Sequence, residues 1–147
     1  MMRAPRGSGP AAKRPTVSLR IHHLALRTRD PARVERFYAD VLGLRVARRD
    51  PARGGVWLDA GGTVLMIERA GDGEPAPCDG TQELIAFGID ANGRHPDLEA
   101  WRARLAAASV SVEAETPFTL YFRDPEGRRV ALSTYVFDAV PPADDES

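Results

Sequence analysis

A chain of 147 residues with 43% hydrophobic and 28% charged content is long enough for one compact domain with a core, and too short for two independent ones. Its formal net charge of -1, with no basic stripe interleaved by aromatics, argues against nucleic acid or an anionic membrane surface as partner. No apolar run approaches the roughly eighteen residues of a membrane span, no signal-peptide core follows the basic start, and Cys78 has no second cysteine to pair with, so a soluble protein of the reducing cytoplasm is expected.

Residues 1–18 hold Arg3, Arg6, Lys13 and Arg14 among Gly, Ser, Pro and Ala, the composition of a disordered basic tail. A strand is predicted over Leu19 to Thr28, where Ile21, Leu24 and Leu26 form a β-prone run. Asp30-Pro31 then supplies a helix N-cap and a first-turn proline. The helix carries Val34, Phe37, Val41 and Leu42 on one face, and Gly43 is placed to end it in a left-handed cap. Three short strands follow, about Arg45 to Arg49, Gly55 to Asp59 and Thr63 to Ala70, the last two joined by Ala60-Gly61-Gly62. This first module, about residues 19–70, reads βαβββ.

Residues 71–81 have the Gly/Pro density of a linker. The same order then returns in a second module, about residues 82–137. A strand runs from about Glu83 to Asp90, and Pro96 opens a helix with Leu98, Trp101 and Leu105 on its apolar face. Strands are predicted near Val110 to Glu113, Leu120 to Arg123 and Arg129 to Tyr135, with Asp124-Pro125-Glu126-Gly127 as a turn before the last. Residues 138–147 form an acidic tail. The run Arg20 to Leu26 thus has its counterpart in Gln82 to Gly88, about sixty residues on, and a repeat of this size points to two supersecondary units of one architecture.

His23-Leu24-Ala25-Leu26, Asp30-Pro31, Phe37-Tyr38 and Val41-Leu42-Gly43-Leu44, together with the closing Phe122-Arg123-Asp124-Pro125-Glu126-Gly127, resemble the glyoxalase/bleomycin-resistance/dioxygenase family, also called the vicinal oxygen chelate superfamily. The resemblance spans about residues 20–136. It implies an α+β fold in which two βαβββ modules form curled mixed sheets around a cavity, commonly in a homodimer. It also implies four metal-ligand positions, carried over here onto His23, Glu68, Leu84 and Ala131. Leucine and alanine cannot coordinate, so only His23 and Glu68 are candidate ligands or candidate catalytic groups.

Catalytic metals usually have about three protein ligands, so a lone His/Glu pair points to metal-independent binding or sequestration of a small molecule, with no cofactor. The alternative is a lyase, isomerase, thiol transferase or dioxygenase that uses His23 and Glu68 with one divalent Zn, Ni, Mn or Fe. Without metal, the same two residues remain candidates for a proton-transfer pair. Strand alternation places Val64, Met66, Leu84, Ala86, Ala131, Ser133 and Tyr135 on the cavity side, with Trp57 and Tyr121 as aromatic walls. Such a lining suits an aromatic or amphipathic small molecule.

Overall fold

The structure, a computed structural model, describes residues 19–137. The predicted tails lie outside the described residues. Strand β1 (His23–Thr28) leads into helix α1 (Pro31–Glu35), and β2 (Arg45–Asp50), β3 (Gly55–Asp59) and β4 (Val64–Arg69) complete the first module. The second module comprises β5 (Leu84–Gly88), α2 (Leu98–Ala107), β6 (Ala114–Glu115), β7 (Thr119–Arg123) and β8 (Arg129–Ser133). Each module forms its own four-stranded mixed sheet, with orders β1-β4-β3-β2 and β5-β8-β7-β6. In both, the first strand runs parallel to the last, and the rest is an antiparallel meander. The predicted α+β architecture of two βαβββ modules is the observed one. Among the described residues no helix is long and apolar enough to cross a membrane.

Local chemistry accounts for the element ends. Asp30 caps α1 by accepting from the Arg33 amide at 3.2 Å, with Pro31 as the first helical residue. The second helix differs from expectation. Its cap is Asp97, which accepts from the Ala100 amide at 2.8 Å, and Pro96 stands just outside. The Asp124 carboxylate closes the β7–β8 turn by accepting from the amides of Glu126 at 2.8 Å and Arg128 at 3.0 Å, while Gly127 takes the left-handed φ of 88° that the turn requires.

The first helix departs from a regular α-helix. From Arg36 to Val41 it widens into a π-helix, and the Leu42 amide reaches back five residues to the Phe37 carbonyl at 3.0 Å. The buried face of this segment is Phe37, Tyr38 and Leu42 after Val34, where the sequence pattern placed Val34, Phe37, Val41 and Leu42. Val41 is left half-buried. The strand expected over Val110 to Glu113 is also shifted, to Ala114–Glu115, because the turn closed by the Thr116 amide on the Thr119 carbonyl fixes the hairpin register. Val110 and Val112 instead pack on the core as extended chain.

Strand parity divides each sheet into two faces. Leu26, Val56, Leu58, Leu65 and Ile67 of the first sheet, and Leu120, Phe122, Val130 and Leu132 of the second, face the helices and join Val34, Phe37, Tyr38 and Leu105 in one continuous apolar core. Phe37 and Phe122 meet across the modules with ring centroids 6.0 Å apart. The opposite parity faces outward on both sheets, and it carries the residues singled out for chemistry.

Candidate functional site

The open face of the first sheet carries His23, Ala25 and Arg27 from β1, opposite Val64, Met66 and Glu68 of β4 in that order. Trp57 of β3 lies opposite Met66. His23 and Glu68 therefore share a face but sit at opposite ends of it, four strand positions apart, or roughly 13 Å along the strand at ~3.3 Å per residue. Each has another partner. The His23 Nδ1 lies 3.0 Å from the His22 Nδ1, and the Glu68 carboxylate accepts from the Arg27 guanidinium at 3.0 Å. The structure does not bring the two together as a proton-transfer pair.

Register also revises the equivalence between modules. In the first sheet His23 opposes Val64 and Ala25 opposes Met66; in the second Leu84 opposes Arg129 and Ala86 opposes Ala131. Overlaying these ladders matches His23 with Leu84 and Met66 with Ala131, and Glu68 with Ser133. The counterpart of Ala131 in the first module is thus Met66, two residues before Glu68. A displacement of two keeps the side chain on the same face, so alternation alone does not reveal it.

Of the four family positions read this way, only His23 carries a nitrogen or oxygen donor; the others are Met66, Leu84 and Ala131. Among the described residues no group of three His, Cys, Asp or Glu side chains is placed to hold a metal ion. A metal does not fit this donor set.

A cleft of about 470 Å³ occupies one end of the first open face, lined by Trp57, Met66, Glu68, Arg27, Asp50 and Arg69, among others. Arg27 is fixed there by two carboxylates, Glu68 and the linker's Glu74, which accepts from its Nε at 2.9 Å. That bond, with a second from the Gly71 amide, holds the Glu74 carboxyl down at about 2. The predicted linker is therefore pinned to the edge of the cleft.

On the second open face Leu84 and Ala86 are exposed, while Ala131 is fully covered. The Ser133 hydroxyl lies 2.8 Å from that of Thr119, its cross-strand neighbour. Tyr135 lies beyond β8 and stacks edge-on between Phe118 and Phe137, at centroid distances of 5.6 and 5.0 Å. Tyr121, opposite Ala131, is the counterpart of Trp57. Each of these aromatics bears an arginine: Arg48 at 5.1 Å from the Trp57 centroid, and Arg129 at 4.2 Å from that of Tyr121. Glu113 accepts from both Arg129 and Arg123, which lowers its pKa, Arg123 contributing most.

Sequence reading missed the arginines, which look like ordinary surface charge until the sheet assembles. It also assigned Trp101 only to helix packing. That ring lines a second cavity of about 420 Å³ between the modules, with Leu42, Phe87, Ile89, His95 and Arg104. Arg104 is held there by the Val41 and Asp40 carbonyls, both at 2.6 Å.

Residues 20–132 match the family model described as Glyoxalase/Bleomycin resistance protein/Dioxygenase superfamily, and the chain belongs to that superfamily. It is 27% identical over 125 residues to MhqE of Bacillus subtilis (strain 168), provisionally named a ring-cleaving dioxygenase. That match covers 76% of this chain, and the chain spans about 40% of the length of that relative. Its fold resembles the fosfomycin resistance protein FosX of Listeria monocytogenes, with a TM-score of 0.67, 17% identity, and coverage of 84% of this chain and 95% of that one. It also resembles the trypanothione-dependent glyoxalase I of Leishmania major, with a TM-score of 0.62, 25% identity, and coverage of 79% and 86%.

Proposed function

We propose that this chain is a small-molecule-binding member of the superfamily, whose ligand lies on the open face of the first sheet against Trp57 and Met66, and that binding there needs no metal at the four family positions. The strand register carries this reading. It aligns Met66, Leu84 and Ala131 where a catalytic site would need donors, leaving His23 alone against the usual three protein ligands. A second copy of the chain would bring the same four side chains, with His23 again the one nitrogen or oxygen donor among them. The cleft beside Trp57, apolar with a few fixed polar groups, supports an aromatic or amphipathic ligand. A homodimer belongs to this reading, supported by the exposed Leu84, Phe118 and Tyr135 on the second module.

A metal-dependent enzyme is the second reading, favoured by the enzyme names of glyoxalase I and MhqE among the relatives. One experiment separates the two. Protein purified without chelator is assayed for metal by mass spectrometry, and wild type and Trp57→Ala are screened for thermal stabilisation by small aromatic compounds. The first reading expects substoichiometric metal, unchanged in His23→Ala, and shifts that Trp57→Ala abolishes. Stoichiometric divalent metal that disappears in His23→Ala overturns it.

A further inference from the structure

The lining of the cleft beside Trp57 holds three guanidinium groups, those of Arg27, Arg53 and Arg69, against the two carboxylates of Asp50 and Glu68. Both carboxylates are engaged: Glu68 accepts from Arg27 at 3.0 Å, and Asp50 lies 3.8 Å from Arg53. Glu74, at the cleft's edge, is bonded to Arg27 as well. Arg69 alone of the three has no carboxylate within ion-pair distance among the described residues, and its guanidinium donates once among them, to the Arg29 carbonyl at 3.4 Å. Arg48, which a β-bulge at Ala47 turns onto the Trp57 indole, stands outside this lining.

The turn before β3 sets the place of Arg69. Gly54 of that turn has a left-handed φ of 66°, and the Arg69 Nε lies 3.0 Å from where a Cβ on Gly54 would sit. A larger residue there would press on the side chain, so the glycine leaves the space in which the guanidinium lies. Along β4, Arg69 stands three residues beyond Met66, or roughly 10 Å at ~3.3 Å per residue. The cleft thus has an apolar end at Trp57 and Met66 and a cationic end at Arg69.

We infer that Arg69 is the anion-recognising group of the Trp57 cleft, so that the ligand is an aromatic carboxylate, its ring against Trp57 and Met66 and its charge on Arg69. This rests on the binding reading above and adds the charge of the ligand to it. A guanidinium grips a carboxylate in bidentate fashion through parallel N–H donors. The donors of Arg69 that are not turned to Arg29 are taken by no acid among the described residues. A volume of about 470 Å³ has room for a bicyclic ring with its acid on a short arm that reaches along β4.

The test is calorimetric titration with 2-naphthylacetate and its neutral analogue 2-naphthylethanol. A charge-assisted bond at a half-open site gives about ten-fold tighter binding of the carboxylate. Arg69→Gln should bring the two affinities together by weakening the carboxylate, and unchanged binding of the alcohol shows the cleft to be intact in that variant. Arg45→Gln, which removes a charge of the same sheet that is paired with Asp59, should leave the preference in place. Equal affinities in wild type, or a preference that survives Arg69→Gln, overturns the inference. In that case Trp57→Ala still decides the binding reading, which stands if both probes weaken and falls if neither does. Failure of both probes to bind at millimolar concentration overturns both.

Discussion

The Tyr38 hydroxyl donates to the Asp124 carboxylate at 2.7 Å, with both side chains buried, and this bond joins the first module's helix to the last turn of the second. Burial pushes the phenol well above its ordinary range, and the neighbouring Asp124 charge pushes it further, which keeps the hydroxyl a donor to that carboxylate. Arg128 and two backbone amides share the same carboxylate. Tyr38→Phe should therefore cost about 1–3 kcal/mol, the range for a buried acceptor losing one of several donors. Urea denaturation measures it, and the loss should fall on a single transition if the modules unfold together.

The shared core makes a related prediction. Phe122 is fully buried and stacks on Phe37 of the other module. Phe122→Ala should destabilise by about 3–5 kcal/mol. Fluorescence of Trp57 in the first module and Trp101 in the second should then shift midpoint together, checked with single-tryptophan variants.

The pinned linker should respond to acid. Glu74 is held at about 2 against an ordinary value of 4.5, through its bonds to Arg27 and the Gly71 amide. Because the folded value is the lower one, the attachment is fully present above about 4.5 and is lost as pH falls towards 2. Amide exchange in residues 71–81, followed by mass spectrometry after correction for the intrinsic pH dependence, should lose protection across that window. In Glu74→Gln the same amides should be less protected at neutral pH and show no such step.

The register equivalence predicts a gain of function. Met66→Glu would set a carboxylate diagonal to His23 on the first sheet, and Leu84→His with Ala131→Glu would build the same diagonal on the second. If the proposed homodimer brings the two diagonals together into one four-ligand set, the triple variant should bind a divalent metal such as Ni or Zn in calorimetry more tightly than the parent does. If a variant built on Glu68 and the two second-sheet changes binds as well without Met66→Glu, the equivalence drawn here is wrong.

Both modules and their element order were legible because the strand runs, Asp30-Pro31 and the Asp124-to-Gly127 turn are local signals that the finished fold uses as such. The π-helical widening was not, since nothing local to Arg36–Val41 distinguishes it from a regular helix, and its buried Tyr38 is held by Asp124 from the other module, a contact that no local signal contains. Assigning Glu68 as the counterpart of Ala131 failed for a sharper reason. Alternation defines a face, and Met66 and Glu68 share one; only the pairing of β1 with β4 tells them apart. Arg48 was invisible for the converse reason, because one bulge moved it onto a face that simple alternation denied it.

Neighbouring positions on a single strand answer to separate demands. Leu65 and Ile67 are held to apolar identities by the core, while Val64, Met66 and Glu68 between and beside them touch only what lies on the open face. The fold can therefore be inherited intact while the chemistry written on it is replaced letter by letter, and a lineage can give up a metal without passing through an unfolded intermediate.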